Sequence, residues 1–178
     1  MEALGYGISG DGHGSYPNEA FFLSDIRTLR EIFSRARTVA VVGLSADWFR
    51  PSYFAAKYLK EHGFRVIPVN PRYPEILGER CYPSLRAIPD PIDVVDVFRK
   101  PQDCVPIAEE AVAIGAHVLW LQLGVTNPQA EAIAAGHGLT VVVDRCIKIE
   151  YARLFGGLNW CGVNTRVISS HRPSTLPR

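Results

Sequence analysis

The segment Thr38-Val-Ala-Val-Val-Gly-Leu-Ser-Ala-Asp-Trp-Phe-Arg-Pro-Ser52 decides the fold. A short apolar run ends in Gly43, passes through a polar loop, and returns to helix-forming sequence at Pro51. That order is the strand–turn–helix start of a nucleotide-binding α/β unit, in which the helix N-terminus faces a phosphate. A dinucleotide fingerprint places three glycines in this loop, and only Gly43 is present. The segment keeps the outline of a phosphate cradle while departing from the NAD pattern.

Outward from it, strand-like runs occur at Val39–Val42, Arg65–Val69, Val94–Phe98, His117–Leu121 and Thr140–Val143. They are rich in Val, Ile and Leu and apolar on both faces, which suits a parallel sheet covered on two sides. Helical stretches lie between most of them. Ser24–Arg37 carries Ile26, Leu29, Ile32 and Phe33 at helical spacing, with Ser24 as its cap. Others run from Pro51 to Gly63, from about Asp103 to Gly115, and onward from Asn127-Pro128, a cap residue followed by proline at the first helical position. The Pro-rich link from Pro71 to Pro91 reads as an irregular crossover with one short helix near Ser84–Ala87. Strand alternating with helix predicts βαβ units with right-handed crossovers. The expected architecture is a five-stranded, doubly wound parallel sheet with helices on both faces, in one domain over residues 24–155. Residues 1–23, rich in Gly and Ser, are expected as a flexible leader, and residues 156–178 as an irregular tail.

With 178 residues, 47% hydrophobic content and a net charge of +1, the chain has the composition of a soluble globular domain able to bury a real core. Nothing in that balance suggests a nucleic-acid or membrane surface. No apolar run approaches the roughly 20 residues that span a bilayer, and the first residues lack the pattern of a secretory signal. Cys81, Cys104, Cys146 and Cys161 show no Cys-x-x-Cys spacing, so a reduced, cytoplasmic protein is the simplest expectation. The five histidines are scattered without metal-ligand spacing.

In open α/β sheets ligands sit beyond the carboxyl ends of the strands, where the strand order reverses. The residues that follow the runs are Ser45, Arg50 and Ser52; Asn70, Pro71 and Arg72; Arg99, Lys100 and Pro101; Gln122 and Gly124; and Asp144, Arg145, Cys146 and Lys148. Cationic side chains thus follow four of the five strands, which points to an anionic ligand with several phosphates. The competing account is that arginines simply crowd exposed loops. An NAD site offers Asp or Glu about 20 residues beyond the glycine loop. Here Val69-Asn-Pro-Arg72 stands in that place, and an arginine there suits a ribose phosphate, as in NADP or coenzyme A.

The motifs Val39-Ala-Val-Val-Gly-Leu-Ser, Arg50-Pro-Ser, Val66-Ile-Pro-Val-Asn-Pro, Glu75-Ile-Leu-Gly, Val94-Val-Asp-Val-Phe-Arg, Trp120-Leu-Gln-Leu-Gly and Asp144-Arg-Cys-Ile-Lys-Ile-Glu occur in this order. Together they resemble the small stand-alone CoA-binding domain proteins, which are similar to the N-terminal domain of the succinyl-CoA synthetase α chain. The resemblance covers about residues 24–154 and implies a Rossmann-like fold with CoA lying across the strand ends. It implies that Gly43, Leu44, Ser45, Trp48, Arg50, Pro51 and Ser52 form the phosphate loop. Asn70-Pro71-Arg72 and Arg99-Lys100-Pro101 would flank the nucleotide, and Gln122-Leu123-Gly124 would line the next wall. Phe98, Arg145 and Cys146, at or just past strand ends, are further candidate contacts. Synthetase activity is not implied, because the domain carrying the phosphorylated histidine has no counterpart here.

Individual residues leave alternatives open. Ser45 and Ser52 either donate to phosphate or cap the helix, and Trp48 and Phe49 either stack on adenine or cover the loop. Asn70 is suited to bonding its own turn. Arg145 beside Cys146 at a helix start would lower the thiol pKa and make it reactive, or even let it form a mixed disulfide with a thiol cofactor; the alternative is an inert buried cysteine. His62, His117 and His137 are expected at the amino ends of the strands, so no nucleophile–base set assembles at the ligand edge. The expected function is binding of coenzyme A or a short acyl-CoA by a carrier, sensor or regulatory module. The alternatives are an NADP-dependent reductase and the CoA-binding component of a split acyl-CoA synthetase. A homo-oligomer or a synthetase-like partner chain is compatible with these readings.

Overall fold

The structure, a computed structural model, describes residues 25–155. The expected leader, the Ser24 cap and the expected tail lie outside them.

The first helix, α1 (Ile26–Arg35), buries Leu29, Ile32 and Phe33 along one stripe. Its cap is Asp25, one residue later than the sequence reading placed it: the Asp25 carboxylate accepts from the Thr28 N–H at 2.8 Å. Strand β1 (Thr38–Val42) leads through the Gly43 loop to α2 (Pro51–Glu61) and β2 (Arg65–Val69). The crossover is less irregular than its prolines suggest. It holds a small hairpin, β3 (Glu75–Ile76) with β4 (Glu79–Arg80), and a 3-10 turn at Leu85–Ala87. The hairpin turns on Leu77 and Gly78, both at positive φ, and leucine in that conformation gives a sequence reader no signal. Then follow β5 (Val94–Val97), α3 (Cys104–Ala113), β6 (Val118–Leu121), α4 (Pro128–Gly136), β7 (Thr140–Val142) and α5 (Ile147–Leu154).

The main sheet is five-stranded with every pairing parallel, in the order β2-β1-β5-β6-β7. The fold is therefore the expected doubly wound, Rossmann-like α/β domain. Side chains on one sheet face, including Val95, Val97, Leu119 and Val141, pack with α3, α4 and the 3-10 turn. On the other face Val39, Val41, Val94 and Trp120 pack with α1, α2 and α5. Trp120, fully buried, lies against Phe33 with ring centroids 5.5 Å apart, and its indole N–H donates to the Arg145 carbonyl at 2.7 Å. That bond fixes the turn between β7 and α5. Pro68 is tolerated because β2 is the outer strand of the sheet. The strand order reverses between β1 and β5, which places the switch point where β1 and β5 end.

Candidate functional site

Two ladder bonds run past the strand ends at the switch point. The Gly43 N–H donates to the Val69 carbonyl and the Phe98 N–H to the Val42 carbonyl, each at 2.9 Å. Gly43 has φ +85, and a Cβ there would lie 2.8 Å from both the Phe98 carbonyl oxygen and Arg99 Cδ. The space left by the missing side chain is filled by the neighbouring loop. Glycine is required first to let the β1 and β5 ends close together, and only secondarily for any ligand.

Beyond Gly43 the loop is held by its own polar side chains. The Ser52 hydroxyl oxygen accepts from the Ser45 N–H (3.2 Å), the Ser45 oxygen from the Asp47 N–H (3.1 Å), and Asp47 Oδ1 from the Phe49 N–H (3.0 Å). Both serines therefore brace the loop, and Ser52 is buried. Leu44 is fully buried in the core. Trp48 and Phe49 are 59% and 67% exposed and stack on each other at 3.8 Å. Neither ring packs into the core, and both stand in solvent. α2 starts at Pro51 with no side-chain cap from Arg50. The Tyr53 and Phe54 N–H groups bond the Arg50 carbonyl and Pro51 has none, so the Ser52 N–H is the first-turn donor left for solvent or ligand.

After β2, the Asn70 amide bonds two backbone groups. It donates to the Leu44 carbonyl at 2.8 Å and accepts from the Arg72 N–H at 3.0 Å. Asn70 thus ties the β1 loop to the β2 exit. A cleft of about 400 Å³ opens here, lined by Gly43, Asn70, Pro71, Ser84, Leu85, Arg99 and Gln102. A larger groove of about 670 Å³ lies at the opposite, amino edge, beside Asp93, His117 and His137. That placement of the histidines agrees with the sequence, and the strand-end rule favours the smaller cleft.

The cations do not stand equally free. Arg50 pairs with Asp47 (3.7 Å) and Arg99 with Asp103 (3.1 Å), both on the surface, where such pairs contribute little and can be exchanged for a phosphate. Arg145 instead reaches Glu150 at 3.1 Å, and Glu150, 2% exposed, also binds Arg153. Arg145 is held inside this cluster. Among the described residues, Arg72 and Lys100 have no ion-pair partner, and both are exposed. Pro101 opens a short 3-10 turn that leads into α3.

At the other side of the edge, the Gly124 N–H donates to Asp144 Oδ1 at 2.7 Å, with both residues at positive φ. Gln122 is buried, and its amide donates to Asp96 Oδ1 at 2.6 Å. Asp96 was not singled out from sequence, although an acid inside Val94-Val-Asp-Val97 is the signal that could have found it. Burial pushes its carboxyl up to about 8, against the lowering effect of the Gln122 bond. The reactive reading of Cys146 meets two obstacles. Burial raises its thiol pKa, with the nearby Asp96 adding to the rise, and the Arg145 guanidinium is engaged by Glu150. The Cys81 and Cys104 thiols are likewise pushed up by burial, Cys104 to about 11. Among the described residues, no group of His, Cys, Asp and Glu could hold a metal ion and no helix is long and apolar enough to cross a membrane.

Residues 37–152, lying over this whole edge, match the CoA binding domain family. The chain belongs to that family. It is 40% identical over 124 residues to the Bacillus subtilis (strain 168) protein YneT, covering 70% of this chain and 92% of YneT. A solved structure from Pyrococcus horikoshii OT3 superposes with a TM-score of 0.73 at 43% identity, over 74% of this chain and 93% of that one. The α subunit of the ADP-forming acetate–CoA ligase II of Pyrococcus furiosus is 29% identical over 131 residues, 67% of this chain but 28% of the subunit. The likeness thus runs over nearly the whole of YneT but over a minor part of the ligase subunit.

Proposed function

We propose that the chain binds coenzyme A, or a short acyl-CoA, across the carboxyl edge of the sheet, as a carrier, sensor or regulatory module. The observation that carries this reading is the convergence at the switch point. The uncapped start of α2, the cleft beside Gly43 and Asn70, and the unpaired cations Arg72 and Lys100 all belong to the ends of three adjacent strands. Such an edge suits a ligand with a pyrophosphate and a separate ribose phosphate. The end of β2 offers no carboxylate to a ribose diol, since Asn70 is consumed by backbone bonds. Pro71, Leu85 and the other apolar lining of the cleft suit a nucleoside.

The membership in a CoA-binding domain family supports coenzyme A over NADP, whose phosphates would also suit the cations. A thermal-shift panel with CoA, adenosine 3′,5′-bisphosphate and NADP tests the choice, because a ligand that binds only the folded state raises Tm. CoA and the bisphosphate should raise it; stabilisation by NADP alone would overturn the reading.

The likeness to a ligase α subunit favours one second reading, the CoA-binding component of a split acyl-CoA synthetase. Co-purification of a large nucleotide-binding partner chain from the native source would support it, and a free monomer or homodimer would count against it.

A further inference from the structure

Asp96 presents a buried polar atom that the fold does not satisfy. It stands in β5, with Val41 of β1 on one side and Trp120 of β6 on the other in the ladder. Its Oδ1 takes the Gln122 amide, while Oδ2 has no hydrogen-bond partner among the described residues. An unsatisfied buried donor or acceptor costs on the order of 1–3 kcal/mol, and native folds seldom keep one without use. An apolar residue would fit the strand better, because every other β5 residue is a buried valine.

Other polar groups lie close to Asp96. Gln122 follows β6 directly, and Cys146 stands at the N-cap position of α5 after β7, without a side-chain capping bond. With Asp96 they bring polar groups from three adjacent strands to one place, under the N-terminus of an eight-residue helix. Cys146 is partly exposed, whereas Asp96 lies wholly inside. No cation bonds Asp96, and Arg145 is turned to Glu150. The site is therefore built for a neutral acid, which has one proton to donate and whose acceptor oxygen is already used.

We propose that Asp96 is a thioester-recognition residue: its Oδ2–H donates to the carbonyl oxygen of an acyl-CoA whose acyl end enters at the α5 N-terminus beside Cys146. This rests on the CoA reading above and adds the substrate class, a thioester in preference to the free thiol. Free CoA has no carbonyl at that position and leaves the proton unpaired. Because Oδ2 has no accessible surface, the side chains covering it must shift as the acyl group enters.

The test compares acetyl-CoA with S-ethyl-CoA, its thioether analogue without the carbonyl, by isothermal titration calorimetry on the full chain at pH 7. Adenosine 3′,5′-bisphosphate serves as the control for the nucleotide half. One hydrogen bond predicts roughly a tenfold preference for acetyl-CoA. Asp96→Asn, whose amide reproduces the neutral acid's donor and acceptor, should keep the preference, and Asp96→Leu should abolish it. Should the leucine variant fail to fold, Asp96→Val, which makes the position like every other residue of β5, replaces it. Equal affinity of the wild type for the two analogues overturns the proposal, as does loss of the preference in Asp96→Asn. Failure of all three ligands to bind would sink the CoA reading itself.

Discussion

A Cβ placed on Gly43 would lie 2.8 Å from the carbonyl oxygen of Phe98, so the ends of β1 and β5 meet only because residue 43 has no side chain. Backbone cannot move aside as a side chain can, and φ +85 adds the strain of a left-handed conformation. Gly43→Ala should destabilise the fold by about 2 kcal/mol or more and displace the Arg99 loop. Urea unfolding reads the first effect. A loss below about 0.5 kcal/mol, the range of an ordinary surface change, would show that the close approach is not required.

Glu150 of α5 holds Arg145, just ahead of the helix, and Arg153 within it, and removing it leaves both charges in a largely buried place. Glu150→Gln should cost about 3–5 kcal/mol, the usual result of breaking a buried pair from one side. The same variant frees Arg145 toward the ligand edge. A mild loss with unchanged binding would mean that water already screens the cluster.

Asp96 makes stability fall as pH rises. Its folded pKa of about 8 lies above the unfolded value near 3.8, so its contribution is fully present below the unfolded value and is lost as pH climbs through the folded one. Stability should decline between about pH 4 and pH 8, by at most about 1.4 kcal/mol per pH unit. Asp93 acts oppositely: backbone bonds from Arg37 and Thr38 outweigh its burial and lower its pKa, so its contribution disappears only in more acidic solution. Unfolding of Asp96→Asn across this range should be nearly flat from pH 5 to 8. A wild-type profile as flat as the variant's would mean that Asp96 is ionised in the fold.

Cys146 should react slowly with a maleimide at pH 7 in the native state and at the rate of a free thiol after unfolding, because burial disfavours its thiolate. Rapid native labelling, located by peptide mass, would revive a reactive role for this residue.

The sheet was legible in the sequence because each strand is a short Val, Ile and Leu run bounded by Gly or Pro, and tertiary packing follows that pattern directly. The start of β2 at Arg65 and its end at Val69 were found to the residue. The β3–β4 hairpin was not, because its turn uses Leu77 where glycine or asparagine is the usual sign. At the ligand edge, sequence could say which residues follow the strands. It could not say which charges are already spent: Arg145 and Arg72 look alike in the chain, yet one is tied to buried Glu150 and the other is exposed. Asp96 escaped because period and composition describe a strand's faces, and a single acid among valines is read as an interruption.

The central claim is that this edge holds coenzyme A, and calorimetric titration of the purified chain with CoA tests it most directly. The account predicts saturable binding of one CoA per chain, competed by adenosine 3′,5′-bisphosphate. It predicts about a tenfold loss in each of Arg72→Ala and Lys100→Ala, with little change in stability. Absence of heat at millimolar CoA, or binding that both substitutions leave unchanged, would contradict it.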